Sequence, residues 1–342
     1  MKKCQASIKH RKKLMLKFNL LEKLKPNGQK KNMIAPLQTA QNDKILTPKL
    51  LFLCLCFFLA ASGKKKTVMI ASVAISTPLR AESDLNHQFY ASKHDYQYVS
   101  YHNKTFFKDM QNMHLAYQKV GLAHYLLEKY GDAMDYLLLV DNDAVFMNCN
   151  KSVYDIIAAV NTVYNKYPSE EPFDIIFSGD QFQAVNTGTV LFRSCQWSRD
   201  FVRNWFNLTT LLWNNPSPSD MSFVDQTVFQ AVLGGLTADK VVSGKISKLE
   251  VKNRFSEPFN HRNATTLRLA MSAREIIPHY IRSHVAIAPQ KLMNSYLYSF
   301  DKSDWIIHFA GYYPKHDLVS TYYRQSTCYF EWFRTLERDP IV

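Results

Sequence analysis

Tyr136-Leu137-Leu138-Leu139-Val140-Asp141-Asn142-Asp143-Ala144-Val145-Phe146 is an apolar run that meets two carboxylates one residue apart and then turns apolar again. The run has the length and composition of a buried strand. Successive side chains of an extended chain alternate faces, so Asp141 and Asp143 point the same way. Two hard oxygen ligands can hold a divalent cation. A parallel strand in an α/β sheet presents its carboxyl end to the ligand crevice. The plain alternative is a turn, because Asp and Asn are common at strand ends for backbone reasons alone.

Outward from this run, strand-like and helix-like segments alternate. Residues 67–76 read as a strand buried on both faces, and residues 90–99 as a helix end running into a second strand. Residues 107–129 place Tyr117, Val120, Leu122 and Leu126 at helical spacing, and Gly131-Asp132 stops them. Ser152 is placed to cap a helix that runs to about Tyr164. Residues 173–177, 186–192, 285–288 and 305–309 are short strands, and 248–252 alternates like an exposed edge strand. Residues 196–212 form an amphipathic helix with Trp197, Phe201 and Trp205 inward. Asp220 caps another helix, ended by Gly234-Gly235, and a terminal helix runs from Asp317 to about Glu337. This alternation implies an α/β fold with a mostly parallel central sheet flanked by helices. Neither GxGxxG nor a P-loop occurs, so a nucleotide bound here needs another way to neutralise its phosphates. A metal held by carboxylates supplies one.

The chain has 342 residues and a net charge of +13, which invites a nucleic-acid reading. The distribution argues against nucleic acid as a partner. Residues 1–49 carry 13 Lys/Arg against Glu22 and Asp43, and Lys64, Lys65 and Lys66 follow. Of 42 basic and 29 acidic side chains, residues 67–342 keep 26 and 27. The charge belongs to a tail, residues 1–44, read as largely disordered. Residues 50–61 are continuously apolar between lysines, and residues 45–48 extend them. A spanning helix usually needs about 20 apolar residues. A buried helix fits poorly with flanking lysines, and a signal peptide fits poorly with so long a basic n-region, although Ala60-Ala61-Ser62-Gly63 leaves cleavage open. The favoured reading is a signal-anchor at residues 45–63, with the tail cytoplasmic and residues 64–342 luminal. Sequons at Asn103, Asn150, Asn207 and Asn263 all lie beyond the anchor. Cys149, Cys195 and Cys328 allow one disulfide plus a free thiol, or three thiols.

Four groups are polar where the pattern predicts apolar residues: Asp141/Asp143, Asn186-Thr187-Gly188, Asp225-Gln226, and His308 with Gly311 and Lys315 just after it. Gly188 permits close backbone approach to a ligand. Each group has a plainer reading: a turn cap for Asn186, a solvated helix face for Asp225 and Gln226, a hydrogen-bonded core histidine for His308, plain surface for Lys315. All four fall at element ends, where an α/β crevice gathers side chains.

Residues 140–146 are similar to the Asp-x-Asp segment of GT-A glycosyltransferases. The stretch Asn186-Thr-Gly-Thr-Val-Leu-Phe-Arg-Ser-Cys-Gln-Trp-Ser198 resembles glycosyltransferase family 34 more specifically. That family holds fungal Golgi α-galactosyl- and α-mannosyltransferases and plant xyloglucan α-xylosyltransferases. Asp225-Gln226-Thr-Val, residues 289–296, His308-Phe-Ala-Gly311 and Lys119 after Tyr117 agree in order, so the resemblance covers about residues 67–315. It implies a GT-A fold behind a single N-terminal membrane segment, and a type II Golgi membrane protein. The implied activity is metal-dependent, retaining transfer of a hexose or pentose to a glycan acceptor, forming an α-linkage. The implied donor is a nucleotide-sugar such as UDP-galactose, UDP-xylose or GDP-mannose, with Mn²⁺ or another divalent cation as cofactor. Complexes with other Golgi glycosyltransferases are implied partners. Carried over, Asp141, Asp143 and His308 would be metal ligands. Lys119, Asn142, Asn186, Gly188, Gly311 and Lys315 would line the cofactor site, and Asp225 and Gln226 would face the anomeric carbon. Asn142 stands where Ser is common, and Tyr312-Tyr-Pro-Lys315 replaces a Cys-containing stretch of the plant members, so neither donor nor acceptor is specified. The rival readings are an inactive relative that binds nucleotide-sugar or glycan, a GT-A transferase of another family, and a basic nucleic-acid-associated protein.

Overall fold

A computed structural model describes residues 67–73, 80–101, 115–166, 170–213, 225–244, 247, 250–259, 262–311 and 315–331. The expected basic tail, the signal-anchor, the Asn103 sequon and the start of the Asp220-capped helix lie outside them. No helix among the described residues is long and apolar enough to cross a membrane.

The strands are β1 (Val68–Val73), β2 (Gln97–Tyr101), β3 (Tyr136–Asp141), β4 (Ala144–Phe146), β5 (Ile175–Ser178), β6 (Asn186–Arg193), β7 (Val285–Ala288) and β8 (Ile306–His308). The larger helices are α1 (Arg80–Lys93), α2 (Leu115–Tyr130), α3 (Val153–Val163), α4 (Gln196–Trp213), α5 (Asp225–Leu233), α6 (Leu267–Arg274) and α7 (Lys315–Gln325). Six strands form one sheet in the order β2-β1-β3-β6-β5-β7. Every neighbouring pair is parallel except the two that involve β6, which runs antiparallel to β3 and β5. The expected mostly parallel sheet is present, with one reversed strand at its centre.

The apolar run Tyr136–Val140 lies in β3 and is buried on both faces, as its composition requires. Tyr136, Leu138 and Val140 pack with Val68, Ile70, Ile156 and Val160. Leu137 and Leu139 pack on the other face with Leu126, Trp205 and Phe229. With helices on both faces, the sheet leaves its strand ends as the place where polar groups can gather.

β4 and β8 form a separate antiparallel ribbon in which Ala144 faces His308. An aromatic cluster anchors it: Phe146 stacks on Tyr90 with centroids 3.8 Å apart, and Trp305 lies 5.6 Å from Phe146. Just beyond β4, Cys149 is disulfide-bonded to Cys328, 179 residues away, which leaves Cys195 as the free thiol among the described residues. α3 opens on the expected cap. The Ser152 hydroxyl accepts the Asp155 N–H, and the Asp155 carboxylate accepts the Ser152 N–H in return.

One expectation is overturned. The alternating stretch 248–252 is not an edge strand where it is described, because Val251–Ser256 is a π-helical turn. Ser247 and Glu250 exchange hydrogen bonds in a capping-box pattern, which starts a helix. Val251 and Phe255, four residues apart, are then buried on one face. α7 begins two residues before the expected Asp317 and ends at Gln325, where a bend at Ser326 interrupts the helix expected to continue to about Glu337. The three described sequon residues Asn150, Asn207 and Asn263 are all exposed.

Candidate active site

β3 delivers Asp141 at its carboxyl end, and the turn to β4 brings Asp143 back beside it. Pairing of β4 with β8 then sets His308 against the same spot. His308 Nε2 lies 3.2 Å from Asp143 Oδ1 and 3.7 Å from Asp141 Oδ2. One ligand atom from each of the three residues falls within 4.8 Å of the others. Lysines hold the remaining carboxylate oxygens. Lys119 Nζ donates to Asp141 Oδ1 at 2.8 Å, and Lys315 Nζ donates to Asp143 Oδ2. Each carboxylate therefore offers one oxygen inward, beside an imidazole nitrogen. Two carboxylate oxygens and one imidazole nitrogen suit a divalent ion such as Mn²⁺ and leave further coordination positions open.

The two carboxylates are pushed apart in acidity. Burial raises the Asp141 pKa, against the pull of Lys119 and His308 and helped by Asp143 and Asp225. Burial also works against ionising Asp143, but His308 and Lys315 overcome it and hold its pKa well below the usual carboxylate range.

β6 meets the crevice at its first three residues, and each does a different task. Asn186 donates from its amide to Asp180 Oδ2 and to the Tyr296 hydroxyl, and its Oδ1 accepts the Gly188 N–H at 2.8 Å. Thr187 donates its hydroxyl to Asp225 Oδ2 at 2.7 Å and its N–H to Gln226 Oε1 at 3.2 Å, and its carbonyl accepts from Lys119. At Gly188 a Cβ would lie 2.2 Å from His308 Cε1. The close approach expected at this glycine is real, and what approaches is the histidine ring.

Asp225 is only 6% exposed, which rules out the solvated-face reading for it. Its carbonyl accepts from Trp205 Nε1 at 3.0 Å, which ties α5 to α4. Lys119 bridges the two sides of the crevice, since its Nζ lies 2.8 Å from Asp225 Oδ2 as well as from Asp141 Oδ1. Burial disfavours its ammonium, but Asp141 and Asp225 outweigh that and raise its pKa. Asn142 is half-buried in the β3–β4 turn, and Gly311 is exposed with φ +76°, a conformation that favours glycine.

Sequence reasoning missed Asp180 and Gln183. Asp180 takes the N–H groups of Phe182 and Gln183 on one oxygen, and the Tyr296 hydroxyl and Asn186 amide on the other. It thereby shapes the β5–β6 loop, next to a register shift in the β5–β6 pairing. Burial and Asp180 raise the Tyr296 pKa, so the phenol stays protonated and donates. Gln183 Oε1 accepts from Gln226 at 2.6 Å and from Gln230 at 3.2 Å. The signal was present only as the Gly179-Asp180 step out of β5.

The other end of β6 carries Arg193-Ser-Cys195-Gln-Trp197-Ser198, far from the crevice. There Asp174 accepts from Arg193 Nε at 2.7 Å and from the Cys195 thiol at 3.1 Å, and its second oxygen pairs with His284 at 2.5 Å. Trp197 stacks on the His284 ring, centroids 4.3 Å apart.

A search of curated protein sequences returns no match. Among solved structures, the chain is similar to a glycosyltransferase involved in the glycosylation of the major capsid of PBCV-1. The identity is 11%, over 75% of this chain and 99% of that one, with a TM-score of 0.45. The profile of the galactosyl transferase GMA12/MNN10 family matches residues 64–318. The chain is therefore a glycosyltransferase belonging to the galactosyl transferase GMA12/MNN10 family, glycosyltransferase family 34.

Proposed function

We propose that this transferase moves a hexose or pentose from a nucleotide-diphosphate sugar to a glycan acceptor, with retention, in a metal-dependent reaction that forms an α-linkage. The observation that carries the reading is the convergence of Asp141 Oδ2, Asp143 Oδ1 and His308 Nε2 at one end of the sheet. A divalent ion held there supplies Lewis-acid stabilisation of the charge that develops on the leaving diphosphate. Lys315, with its side chain 25% exposed, adds positive charge at the same edge. Asp225 and Gln226, braced by Thr187, face the anomeric carbon. In the retaining step the acceptor oxygen bonds to that carbon as its bond to the phosphate oxygen breaks, and the departing phosphate takes the hydroxyl proton. Double displacement through Asp225 is the competing route. With one Asp225 oxygen already holding Lys119 and Thr187, only its other oxygen is left for that role.

The reading extends to a type II Golgi membrane protein with a luminal catalytic domain. The basic tail ahead of an apolar run supports this orientation. The Cys149–Cys328 bond supports an oxidising compartment.

Purified full chain, offered UDP-galactose, UDP-xylose, UDP-glucose and GDP-mannose with Mn²⁺, is expected to hydrolyse at least one donor, and EDTA is expected to abolish this. Asp143→Asn should lose most activity with its thermal melt retained. Turnover indifferent to EDTA, or a fully active Asp143→Asn, would remove the metal role.

A further inference from the structure

Lys119 is a buried cation with three oxygens close around its ammonium. Its Nζ lies 2.8 Å from Asp141 Oδ1, 2.8 Å from Asp225 Oδ2 and 2.9 Å from the Thr187 carbonyl. An ammonium has three donors and no more. Its side chain is 6% exposed, against 25% for Lys315. A phosphate oxygen could reach Lys119 only by displacing a carboxylate from it. Thr187 is used as fully: its hydroxyl holds Asp225, its N–H holds Gln226, and its carbonyl holds Lys119. Without the ammonium between them, half-buried Asp141 and buried Asp225 would be neighbouring like charges that repel.

We propose that Lys119 and Thr187 are positioning residues that fix Asp225 and Gln226 at a set spacing from the cation-side carboxylate Asp141, and that neither touches the donor's phosphates. The proposal rests on the transferase reading above. Spacing matters because the cation side holds the leaving group and the Asp225 side holds the reacting carbon. A misplacement of about 1 Å between the two costs on the order of 100-fold in rate. Lys119 thus acts on the reaction through Asp225, whereas a phosphate ligand would act through donor affinity.

The test uses the full chain and three variants: Thr187→Val, which keeps the shape and loses the hydroxyl; Thr187→Ser, which restores it; and Lys119→Met. Two quantities are read: kcat and KM with whichever of the four donors wild type turns over, and calorimetric binding of UDP or GDP to match, with Mn²⁺. Thr187→Val is expected to lose about 10- to 100-fold in kcat, with KM and nucleotide affinity within about twofold of wild type. Thr187→Ser is expected to recover most of the loss, and Lys119→Met to follow Thr187→Val with a larger drop in kcat. Should Lys119→Met fail to fold, the isosteric threonine pair carries the test alone. Thr187→Val at wild-type rate overturns the proposal. So does a loss of nucleotide affinity as large as the loss of rate in either Thr187→Val or Lys119→Met. Wild type that turns over none of the donors overturns the transferase reading itself, and this proposal with it.

Discussion

Gly188 has no side chain because His308 occupies the space. A Cβ there would meet His308 Cε1 at 2.2 Å and Nδ1 at 2.4 Å, and Asn186 Oδ1 at 3.0 Å. Gly188→Ala therefore has to push the ring off its line to Asp141 and Asp143 while leaving the sheet in place. The expected result is a loss of about tenfold or more in Mn²⁺ affinity by calorimetry, with a near-native melting temperature. Unchanged Mn²⁺ binding would show that the ring does not need that position. The sequence marked Gly188 as a point of close approach, and it marked both aspartates and the histidine. It did not show that the approaching group is His308, 120 positions along the chain. Asp180 was invisible for the same reason: its partner Tyr296 is 116 residues away, and its local neighbours read as an ordinary turn. A residue type and its spacing reveal a candidate, but only the fold supplies the partner.

Elements were legible where their cause is local. β3 shows in its composition, and α3 shows in the Ser152 cap, because both depend on residues within a few positions. That cap makes a measurable claim. Ser152→Ala removes one half of a reciprocal pair and should cost about 1 kcal/mol in urea unfolding. Hydrogen bonds from the Ser152 backbone and hydroxyl hold the Asp155 carboxyl below its ordinary value. A carboxyl with a depressed folded pKa contributes stability that is complete above its unfolded value and is lost as pH falls through the folded one. The difference between wild type and Ser152→Ala should thus shrink as unfolding is repeated from pH 6 towards pH 3; a constant difference would argue against the charged pair. In the stretch 248–252, Leu249 and Val251 suit a strand by alternation. The Ser247–Glu250 exchange starts a helix there instead, and it overrides the alternation.

For the whole molecule, the Cys149–Cys328 bond joins the end of the β4–β8 ribbon to the chain beyond α7. It closes a loop spanning 179 positions, so it constrains the unfolded chain strongly. Cys328→Ser should cost about 2–5 kcal/mol in denaturant unfolding, and reductant should lower wild type to the same level without affecting the variant further. The sequence narrowed the thiols to one bond or none and left the pairing to the fold. The reversal of β6 has the widest reach. Because that strand runs against its neighbours, it begins at the crevice with Asn186–Gly188, and the chain leaves the opposite end of the sheet through Arg193–Ser198, around Asp174 and His284. The two halves of Asn186–Ser198 therefore serve different ends, the first the crevice and the second the packing around Asp174. A descendant that gave up transfer could let the first half drift, yet would have to keep the second to remain folded. Members that differ in which half survives would thus record, in one strand, whether a lineage kept its chemistry or only its shape.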